Sequence, residues 1–420
     1  MSTSLNGKVR VVDISMGWAG PLAGELLAEM GAEVVKIEDT EHFDWWRGSL
    51  SMAEPALRPI ERAATFNAAN RGKFGVTLDL AHRRGIEIVK RLVEIADVVI
   101  ENYSPGVMDR FGLGYPILSK INPRLIMVSM PSFGSDGPEC NVRGYGNTVE
   151  AMAGITGLAG YHDGEQRYTL SNALGDPVGG LHGALAVLAA LHERDRTGQG
   201  QWVEIAQVES AIPFVTDAIL EYQFAGEVPR PRGNRHPRFA PHGIFRCVGQ
   251  GSDQESWIAV AAESDQQWRV LAKALNLAHF AEDPRFATAA DRKKNEDVLD
   301  SELARVFVAM EPDDAVRIAR EAGALAAHVN SAPAVLGDSQ LQSRGFWVPI
   351  DRAVVGTHLY PGAVAKLPET PLQPDRPAPL LGQHNAEIFS RLLGMSADEI
   401  RELEESGVIG SIPRDYRNAS

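Results

Sequence analysis

VRVVDISMGWAGPLAGELLAEMGAEVVKIE, residues 9–38, is the stretch that decides the fold. Val9–Ile14 and Glu33–Glu38 are apolar-rich runs of strand length, and Leu22–Met30 between them has helical periodicity. The glycine-rich segment Gly17–Pro21 supplies the turn that enters the helix. A strand, a helix and a second strand within about 30 residues are typical of a parallel sheet. The pattern therefore predicts an α/β body with a doubly wound parallel sheet.

The same alternation continues along the first half of the chain. Gly85–Ile95 is predicted to be a helix, and Asp97–Glu101 and Leu125–Ser129 are predicted to be strands. Pro229–His242 is rich in Pro, Arg and Gly, which is typical of a linker or binding loop. The predicted organisation is a Rossmann-like large domain with its N-terminal part over residues 1–225, a smaller α+β domain over residues 226–330, and a C-terminal part over residues 331–420 that returns to the large domain.

The composition indicates a globular protein without extensive nucleic-acid contacts. The chain has 420 residues, of which 44% are hydrophobic and 23% charged, as in ordinary soluble proteins. A net charge of −14 argues against broad nucleic-acid binding, although local Lys and Arg residues can still hold an anionic ligand. No apolar run approaches the ~18 residues of a membrane span, and the polar N-terminus lacks a secretory pattern. We therefore expect a cytoplasmic protein that does not interact with membranes.

Common cofactor and hydrolase motifs are missing from the sequence. Gly17, Gly20 and Gly24 do not have the G-x-G-x-x-G spacing of dinucleotide-binding turns, and no phosphate-binding G-x-x-x-x-G-K-[ST] loop is present. The histidines form no H-E-x-x-H pair, and no serine lies in a G-x-S-x-G elbow. Cys140 and Cys247 have no metal-ligand spacing around them and cannot build a disulfide framework. The sequence predicts no metal site.

One carboxylate, Asp176, lies in a glycine-rich segment that precedes an apolar helix pattern predicted from about Pro177 to Arg196. One interpretation is a helix N-cap, with Pro177 at the first helical position. The other is a nucleophile, because flanking glycines let a bulky acyl group approach the carboxylate and helix N-terminal amides stabilise a developing anion. These residues alone favour the cap and leave both interpretations open.

An ordered set of short motifs covers most of the chain. The motifs are AGP at residues 19–21, GAEVVKIE at 31–38, NRGK at 70–73, TLDL at 77–80, ADVVIENY at 96–103, PG at 105–106, GLGY at 112–115, NPRLI at 122–126, FG at 133–134 with GP at 137–138, LGD at 174–176, TGQGQ at 197–201 and LLGQH at 380–384. Together they resemble the family III CoA-transferases, the group that includes formyl-CoA transferase and the carnitine and bile-acid CoA-transferases.

This resemblance implies an activity and favours the second interpretation of Asp176. An aspartate at this place in the family is the nucleophile, which passes through a mixed anhydride and an aspartyl-CoA thioester while CoA moves from an acyl-CoA to a carboxylic acid. CoA is then a co-substrate, and no permanently bound cofactor is expected. We expect backbone amides near Gly179 and Gly180 to stabilise the oxyanions. The family's fold also implies an interlocked homodimer.

The resemblance also assigns binding residues. It places CoA contacts at Lys73, Asn102, Arg110 and Arg143. Tyr145 corresponds to an active-site tyrosine of the family. Asp39 stands where formyl-CoA transferase has an adenine-contacting arginine, and Trp18 replaces a glutamine near its active site. Trp18, with the aromatic cluster Phe43–Arg47, favours a bulky apolar acyl group, and Arg47 is a candidate partner for a second carboxylate on the acid.

Two alternatives remain at this point. An α-methylacyl-CoA racemase has a similar sequence but carries a G-H-D segment whose histidine removes the α-proton; Gly144–Tyr145–Gly146–Asn147 here contains no histidine. A non-catalytic subunit of a CoA-transferase complex is expected to lack the nucleophile, whereas Asp176 is present. The sequence does not identify the donor, the acceptor acid or the pathway, nor does it say whether a second subunit is required.

Overall fold

A six-stranded parallel sheet forms the centre of the N-terminal half. The computed structural model describes residues 5, 7–48, 59–164, 166–169, 173–249, 256–372 and 376–417. The strands of this sheet are β1 (Arg10–Asp13), β2 (Glu33–Glu38), β3 (Phe74–Thr77), β4 (Val98–Glu101), β5 (Ile126–Ser129) and β6 (Trp202–Glu204). Their order is β3-β2-β1-β4-β5-β6, and every neighbouring pair is parallel. This order is that of a doubly wound fold, so the predicted α/β class is confirmed.

Ten helices lie between Ala19 and Ala225 among the described residues. They are α1 (Ala19–Glu29), α2 (Ala64–Ala69), α3 (Arg83–Glu94), α4 (Val107–Arg110), α5 (Tyr115–Ile121), α6 (Gly146–Met152), α7 (Ile155–Leu158), α8 (Gly175–Thr197), α9 (Gln207–Ala211) and α10 (Thr216–Ala225). Short 3-10 turns cover Trp45–Arg47, Pro59–Glu61 and Ile212–Val215. The crossover connections that parallel strands need are supplied by helices such as α1 and α3.

The remaining elements follow in chain order. They are β7 (His242–Cys247), β8 (Ser256–Ala261), α11 (Asp265–Ala274), α12 (Ala278–Glu282), a 3-10 turn (Pro284–Phe286), α13 (Ala289–Lys294), α14 (Glu296–Phe307), α15 (Pro312–Glu321), β9 (Leu325–His328), α16 (Ala332–Gly337), α17 (Ser339–Ser343), β10 (Trp347–Arg352), β11 (Gly356–Pro361), α18 (Asn385–Leu393), α19 (Ala397–Glu405) and α20 (Arg414–Arg417). No helix in the part of the chain that the structure describes is both long and apolar enough to cross a membrane.

The chain forms two compact units. The first contains Met1–Thr156, Thr169–Gly226 and Ser343–Ser420, and the second contains Gly157–Tyr168 and Glu227–Gln342. In the second unit an antiparallel sheet, β7-β8-β9, packs on a core that includes the fully buried Trp268, Phe286 and Phe307. In the first unit the C-terminal segment contacts the parallel sheet. The Thr77 hydroxyl of β3 donates a hydrogen bond to the Gly410 carbonyl oxygen at 2.6 Å.

Both faces of the parallel sheet are buried. Successive strand residues point in opposite directions, so neighbouring residues belong to different cores. Val12 lies in a core built with α3, α18 and α19, whereas Val11 lies in a core built with α1 and α8. Glycine permits the close packing of α8 on α1, since a Cβ atom on Gly180 would lie 2.7 Å from the Ala19 carbonyl oxygen. The packing fixes the N-terminal end of α8 beside the loop that follows β1.

Candidate active site

A cavity of about 190 Å³ lies where the loops after β1, β4 and β5 meet. The order of the strands reverses between β1 and β4, and ligands of open α/β sheets bind outside the carboxyl ends of the strands at such a point. The cavity is lined by Met16, Trp18, Trp45, Asn102, Tyr103, Ser104, Pro105, Ser132, Cys140, Val142, Arg143, Gly144, Tyr145, Asp176 and Gln207. Predicted site residues therefore meet here from loops that are far apart in sequence.

Asp176 is located in the first turn of α8, not at its cap. The helix begins at Gly175, its N-cap is Leu174, and no side chain caps it. The N-cap interpretation, with Pro177 at the first helical position, is therefore wrong. The carboxylate instead accepts a hydrogen bond from the backbone amide of Gly146, at the start of α6. A tertiary contact, which local spacing does not reveal, holds this side chain.

The surroundings of Asp176 raise its pKa. Together they shift it from 3.8 to about 6: burial raises the pKa most, the amide of Gly146 lowers it, and the neighbouring Glu150 carboxylate raises it. Glu150 is fully buried and accepts a hydrogen bond from the Leu174 amide, at the residue that precedes α8. Asp176 is thus mainly a carboxylate at neutral pH, but its negative charge is poorly stabilised, which increases its basicity.

Glycine is required where α6 meets the start of α8. A Cβ atom on Gly146 would lie 2.6 Å from the Asp176 Oδ2 atom and 2.4 Å from the Ala173 Cβ atom. A Cβ atom on Gly175 would lie 2.7 Å from the Val149 Cγ1 atom. Any larger residue at these two places would displace the carboxylate or the helix that carries it.

Aromatic rings form one wall of the cavity. The Trp18 ring lies 5.1 Å from that of Trp46, and the Trp45 ring meets the Tyr145 ring edge-on at 5.8 Å between centroids. Trp18 is the N-cap residue of α1, and Tyr145 is the N-cap residue of α6 with a 66% exposed side chain. The structure thus brings both predicted substrate-binding side chains to the cavity that contains Asp176.

Asn102 also lines the cavity, but its amide group is engaged by the chain itself. Its Oδ1 atom accepts a hydrogen bond from the Met16 amide at 2.8 Å, and its Nδ2 atom donates to the Met16 carbonyl oxygen at 2.7 Å. The side chain therefore clamps the loop after β1 to the end of β4. It shapes the wall on which Trp18 lies.

The two predicted CoA-binding arginines lie at different places. Arg143 is exposed and lines the cavity, whereas Arg110 is exposed in the last turn of α4 and is not among the lining residues. Neither arginine forms an ion pair with a residue that the structure describes. Both guanidinium groups are accessible to an anionic ligand.

Lys73 is placed where a ligand does not reach it. Its side chain is fully buried, and its Nζ atom lies 2.8 Å from Asp13 Oδ2, 2.7 Å from the Pro21 carbonyl oxygen and 2.9 Å from Asn70 Oδ1. Burial lowers the pKa of this ammonium group, and the Asp13 carboxylate opposes that shift. The predicted contact of Lys73 with CoA conflicts with this position, because its three donor protons already have internal acceptors.

Arg47 is likewise unavailable as a partner for a substrate carboxylate. Arg47 is 1% exposed, and its guanidinium group lies 2.8 Å from Glu38 and 2.9 Å from Glu61 and stacks on the Phe66 ring at 3.5 Å. The sequence identified the charge but not its two acidic partners, one of which lies 14 residues further along the chain.

The predicted oxyanion role of Gly179 and Gly180 also conflicts with the structure. Both residues are buried inside α8, beyond its first turn, where backbone amides donate to the carbonyl four residues earlier. A Cβ atom on Gly179 would lie 3.1 Å from the Gln207 Cγ atom, and one on Gly180 would contact α1. These glycines permit helix packing.

Several cavity residues were not predicted. Gln207 is buried at the start of α9 and donates to the Met130 carbonyl oxygen at 2.8 Å. Ser132 follows β5, and Trp45 lies in the 3-10 turn after β2. Gln207 and Ser132 could have been found from the rule that residues after parallel strands gather at one edge of the sheet. Trp45 belongs to the aromatic cluster Phe43–Arg47, but the sequence alone does not place it at the cavity.

Comparison with known proteins shows the family. The sequence profile described as CoA-transferase family III matches residues 5–385. The chain belongs to CoA-transferase family III. The CoA-transferase resemblance inferred from the motifs is confirmed, and an acyl-CoA thioester is a substrate of the reaction. No histidine is present among the described residues that line the cavity, so the structure offers no support for the racemase alternative.

Individual relatives align with nearly the whole of this chain. The succinyl-CoA–D-citramalate CoA-transferase of Chloroflexus aurantiacus is 34% identical over 96% of this chain and 97% of its own length. The beta subunit of the succinyl-CoA–L-malate CoA-transferase of the same organism is 32% identical, over 96% and 97%. The crystal structure of a CaiB/BaiF family protein from Brucella suis superposes with a TM-score of 0.83, at 31% identity, over 93% of this chain and all of the other.

Proposed function

We propose that this CoA-transferase uses Asp176 as its nucleophile and takes the CoA thioester of a small dicarboxylic acid of the succinyl type as a substrate. The observation that carries the proposal is the position of Asp176. It is the single carboxylate among the described residues that line the cavity, it is held by the Gly146 amide, and aromatic rings line the same cavity. The names of the two Chloroflexus relatives, whose donors and acceptors are dicarboxylic acids, support the substrate class.

The first half-reaction transfers CoA to the enzyme. An Asp176 oxygen attacks the thioester carbonyl carbon, the C–S bond breaks, and CoA leaves as a thiolate while a mixed anhydride forms. The thiolate then attacks the Asp176 carbonyl carbon of the anhydride, and the first acid leaves as a carboxylate. The products are an aspartyl-CoA thioester and the free acid. Both attacks join groups already held in one cavity, which removes the entropic cost of a bimolecular encounter.

The second half-reaction runs the same steps in reverse with another acid. The carboxylate of the acceptor attacks the aspartyl thioester and releases CoA thiolate, forming a second anhydride. The thiolate attacks the acceptor's carbonyl carbon, which gives the new acyl-CoA and restores the Asp176 carboxylate. The amide of Gly146, which faces Asp176, is a donor in position to stabilise negative charge on the oxygens of that carboxyl group. No metal or permanently bound organic cofactor takes part in these steps.

Parts of the proposal concern CoA and the assembly. Arg110 is assigned to the CoA phosphates, because it is exposed outside the cavity and forms no ion pair with the residues that the structure describes. Asn102 is assigned to the shape of the CoA channel. A homodimer is the proposed assembly, supported by α10, which buries none of its residues in one chain and exposes 83% of Phe224. The cytoplasm is the proposed location. One relative is named as a subunit of a CoA-transferase, so a complex of two different chains is the competing assembly. Light scattering of the purified chain distinguishes the homodimer from this alternative.

A covalent intermediate provides the direct test of the nucleophile. The enzyme is incubated with succinyl-CoA and no acceptor, quenched with hydroxylamine, digested and mapped by mass spectrometry. We expect an aspartyl hydroxamate at Asp176, and none in the Asp176→Ala variant treated in parallel. A hydroxamate on another residue, or an Asp176→Ala variant that still exchanges CoA at the wild-type rate, would refute the assignment.

A further inference from the structure

Arg143 is the one cationic side chain among the described residues that line the cavity. It is exposed in the loop between β5 and α6, and no hydrogen bond or ion pair occupies its guanidinium group within the part of the chain that the structure describes. The same cavity contains the Asp176 carboxylate. An unpaired guanidinium group in the cavity that contains the nucleophile is suited to an anionic group of the substrate that enters the same cavity.

The other cations beneath these loops cannot serve this purpose, because each is buried against an internal acid. Lys36 lies 3.0 Å from Asp44 and donates to the Ser15 carbonyl oxygen at 2.7 Å. Lys73 is paired with Asp13, and the two acids described above enclose Arg47. If a substrate anion bound any of these cations, a buried carboxylate would lose its partner, and this strongly destabilises the folded protein. Among the described residues that line the cavity, Arg143 is the cation that can gain an acid partner without taking it from another residue.

The phosphates of CoA are a poor match for Arg143. The whole pantetheine arm separates the CoA sulfur, which must reach Asp176, from the diphosphate and the 3′-phosphate. The acyl group, in contrast, is attached directly to the sulfur and must enter the cavity. A short dicarboxylic acid therefore places its second carboxylate near the lining residues, and that carboxylate needs a cation when water is displaced.

We infer that Arg143 binds the distal carboxylate of the acyl group and of the acceptor acid, and so selects dicarboxylic over monocarboxylic substrates. This inference rests on the proposed function, because it assumes that the acyl group enters the cavity of Asp176. The planar guanidinium group makes a two-bond contact with a carboxylate. The aromatic residues Trp18 and Trp45 then pack against the methylene groups between the two carboxylates.

The test compares matched substrates that differ only in the distal carboxylate. Initial rates are measured for succinyl-CoA and butyryl-CoA as donors, and for succinate and butyrate as acceptors. The enzymes are wild type, Arg143→Gln, Arg143→Lys and Arg110→Gln. In Arg143→Gln we expect the succinate-to-butyrate ratio of kcat/KM to fall on the order of 10- to 100-fold, with partial recovery in Arg143→Lys. In Arg110→Gln we expect the succinyl-CoA and butyryl-CoA values to fall by the same factor.

Each contrary result has its own meaning. An equal fall for succinyl-CoA and butyryl-CoA in Arg143→Gln would overturn the inference and return Arg143 to CoA binding. An unchanged ratio with unchanged rates would overturn it as well. Wild-type enzyme that transfers CoA without preferring dicarboxylic acids would refute the inference and the proposed substrate class but not the role of Asp176. Hydroxamate trapping away from Asp176 would refute the proposed nucleophile independently of these ratios.

Discussion

Two groups of charges lie close together in the first unit and are built in opposite ways. Beneath the loops, Asp13 is paired with Lys73 and Lys36 with Asp44, and all four side chains are fully buried. In the cavity, Asp176 has an amide donor but forms no ion pair within the part of the chain that the structure describes. The buried pairs satisfy one another and support the loops. The cavity leaves a carboxylate unpaired, which keeps it available for chemistry.

The pKa values of two aspartates express the same contrast. Burial alone raises the pKa of Asp13, but the nearby Lys73 and Lys36 ammonium groups reverse the shift and bring it below the ordinary value. Asp176 experiences the same effect of burial without such partners, and its pKa rises to about 6. Partner cations, more than depth of burial, therefore separate a structural carboxylate from a reactive one.

Removing the Asp176 carboxylate is expected to have the largest effect. In Asp176→Ala no anhydride can form, so kcat should fall by at least about 10³-fold. Acyl-CoA binding should remain within a few-fold of wild type, because the loops and Arg110 are untouched. Steady-state kinetics and equilibrium titration with a CoA thioester measure the two effects separately. A variant that loses binding and turnover together would indicate that Asp176 supports the fold of the site.

Breaking a buried pair should instead reduce stability. Lys73→Met leaves the Asp13 carboxylate without its closest cation, so we expect a loss of about 3–5 kcal/mol in the free energy of unfolding. The control is Arg83→Met at the exposed pair Arg83–Glu87, where less than about 1 kcal/mol should be lost. Urea unfolding at neutral pH measures both. A stable Lys73→Met enzyme with a raised KM for every CoA donor would restore the predicted CoA contact.

The sequence predicts the parallel sheet well because its strands carry their own signal. The valine-rich runs around Val11 and Val34 are buried on both faces, and continuous apolar character is the mark of such strands. The helix after Asp176 is similarly visible, predicted from about Pro177 to Arg196 and observed over Gly175–Thr197. Local sequence patterns are enough to predict a helix or strand when the burial of its own residues produces the pattern.

The pairing of charges could not be predicted, because it depends on residues that the fold brings together. Lys73 meets Asp13 across 60 positions of sequence, and this contact turns a candidate ligand-binding cation into a structural one. Asp176 is held by Gly146 from another helix, so its local resemblance to a cap was misleading. The meeting of Trp18 and Tyr145 at the cavity was anticipated by resemblance to the family, whereas their packing partners were not.

Crowding the contact between α6 and α8 should affect catalysis more than folding. In Gly146→Ala the new methyl group would meet the Asp176 Oδ2 atom at 2.6 Å and must push the carboxylate away. A displacement of this size is expected to lower kcat about 100-fold. Gly157→Ala, where no atom lies within 4 Å of the added methyl group, is the control and should stay near wild type. Equal activities for the two variants would show that the carboxylate position is not critical.

The smallest expected effect is a gain in the free energy of unfolding when Asp176 loses its charge. The sign of this change tests the comparison of Asp176 with Asp13. The unfolded chain releases the Asp176 proton near pH 3.8 and the folded chain near pH 6, so the stability of wild type falls as pH rises between these values. Asp176→Asn keeps an acceptor for the Gly146 amide and carries no charge. We expect it to be more stable than wild type by about 1–3 kcal/mol at pH 7.5.

That advantage should shrink towards pH 4.5, because wild-type Asp176 is then largely protonated and uncharged. Asp13→Asn provides the matched comparison, since the pKa of Asp13 is lowered and its pairing with Lys73 contributes stability above the unfolded pKa. It should therefore destabilise the protein at pH 7.5. Urea unfolding of both variants at the two pH values measures the signs. If Asp176→Asn were less stable than wild type at pH 7.5, the carboxylate would be a stabilising partner like Asp13, and the distinction between the cavity and the buried pairs would fail.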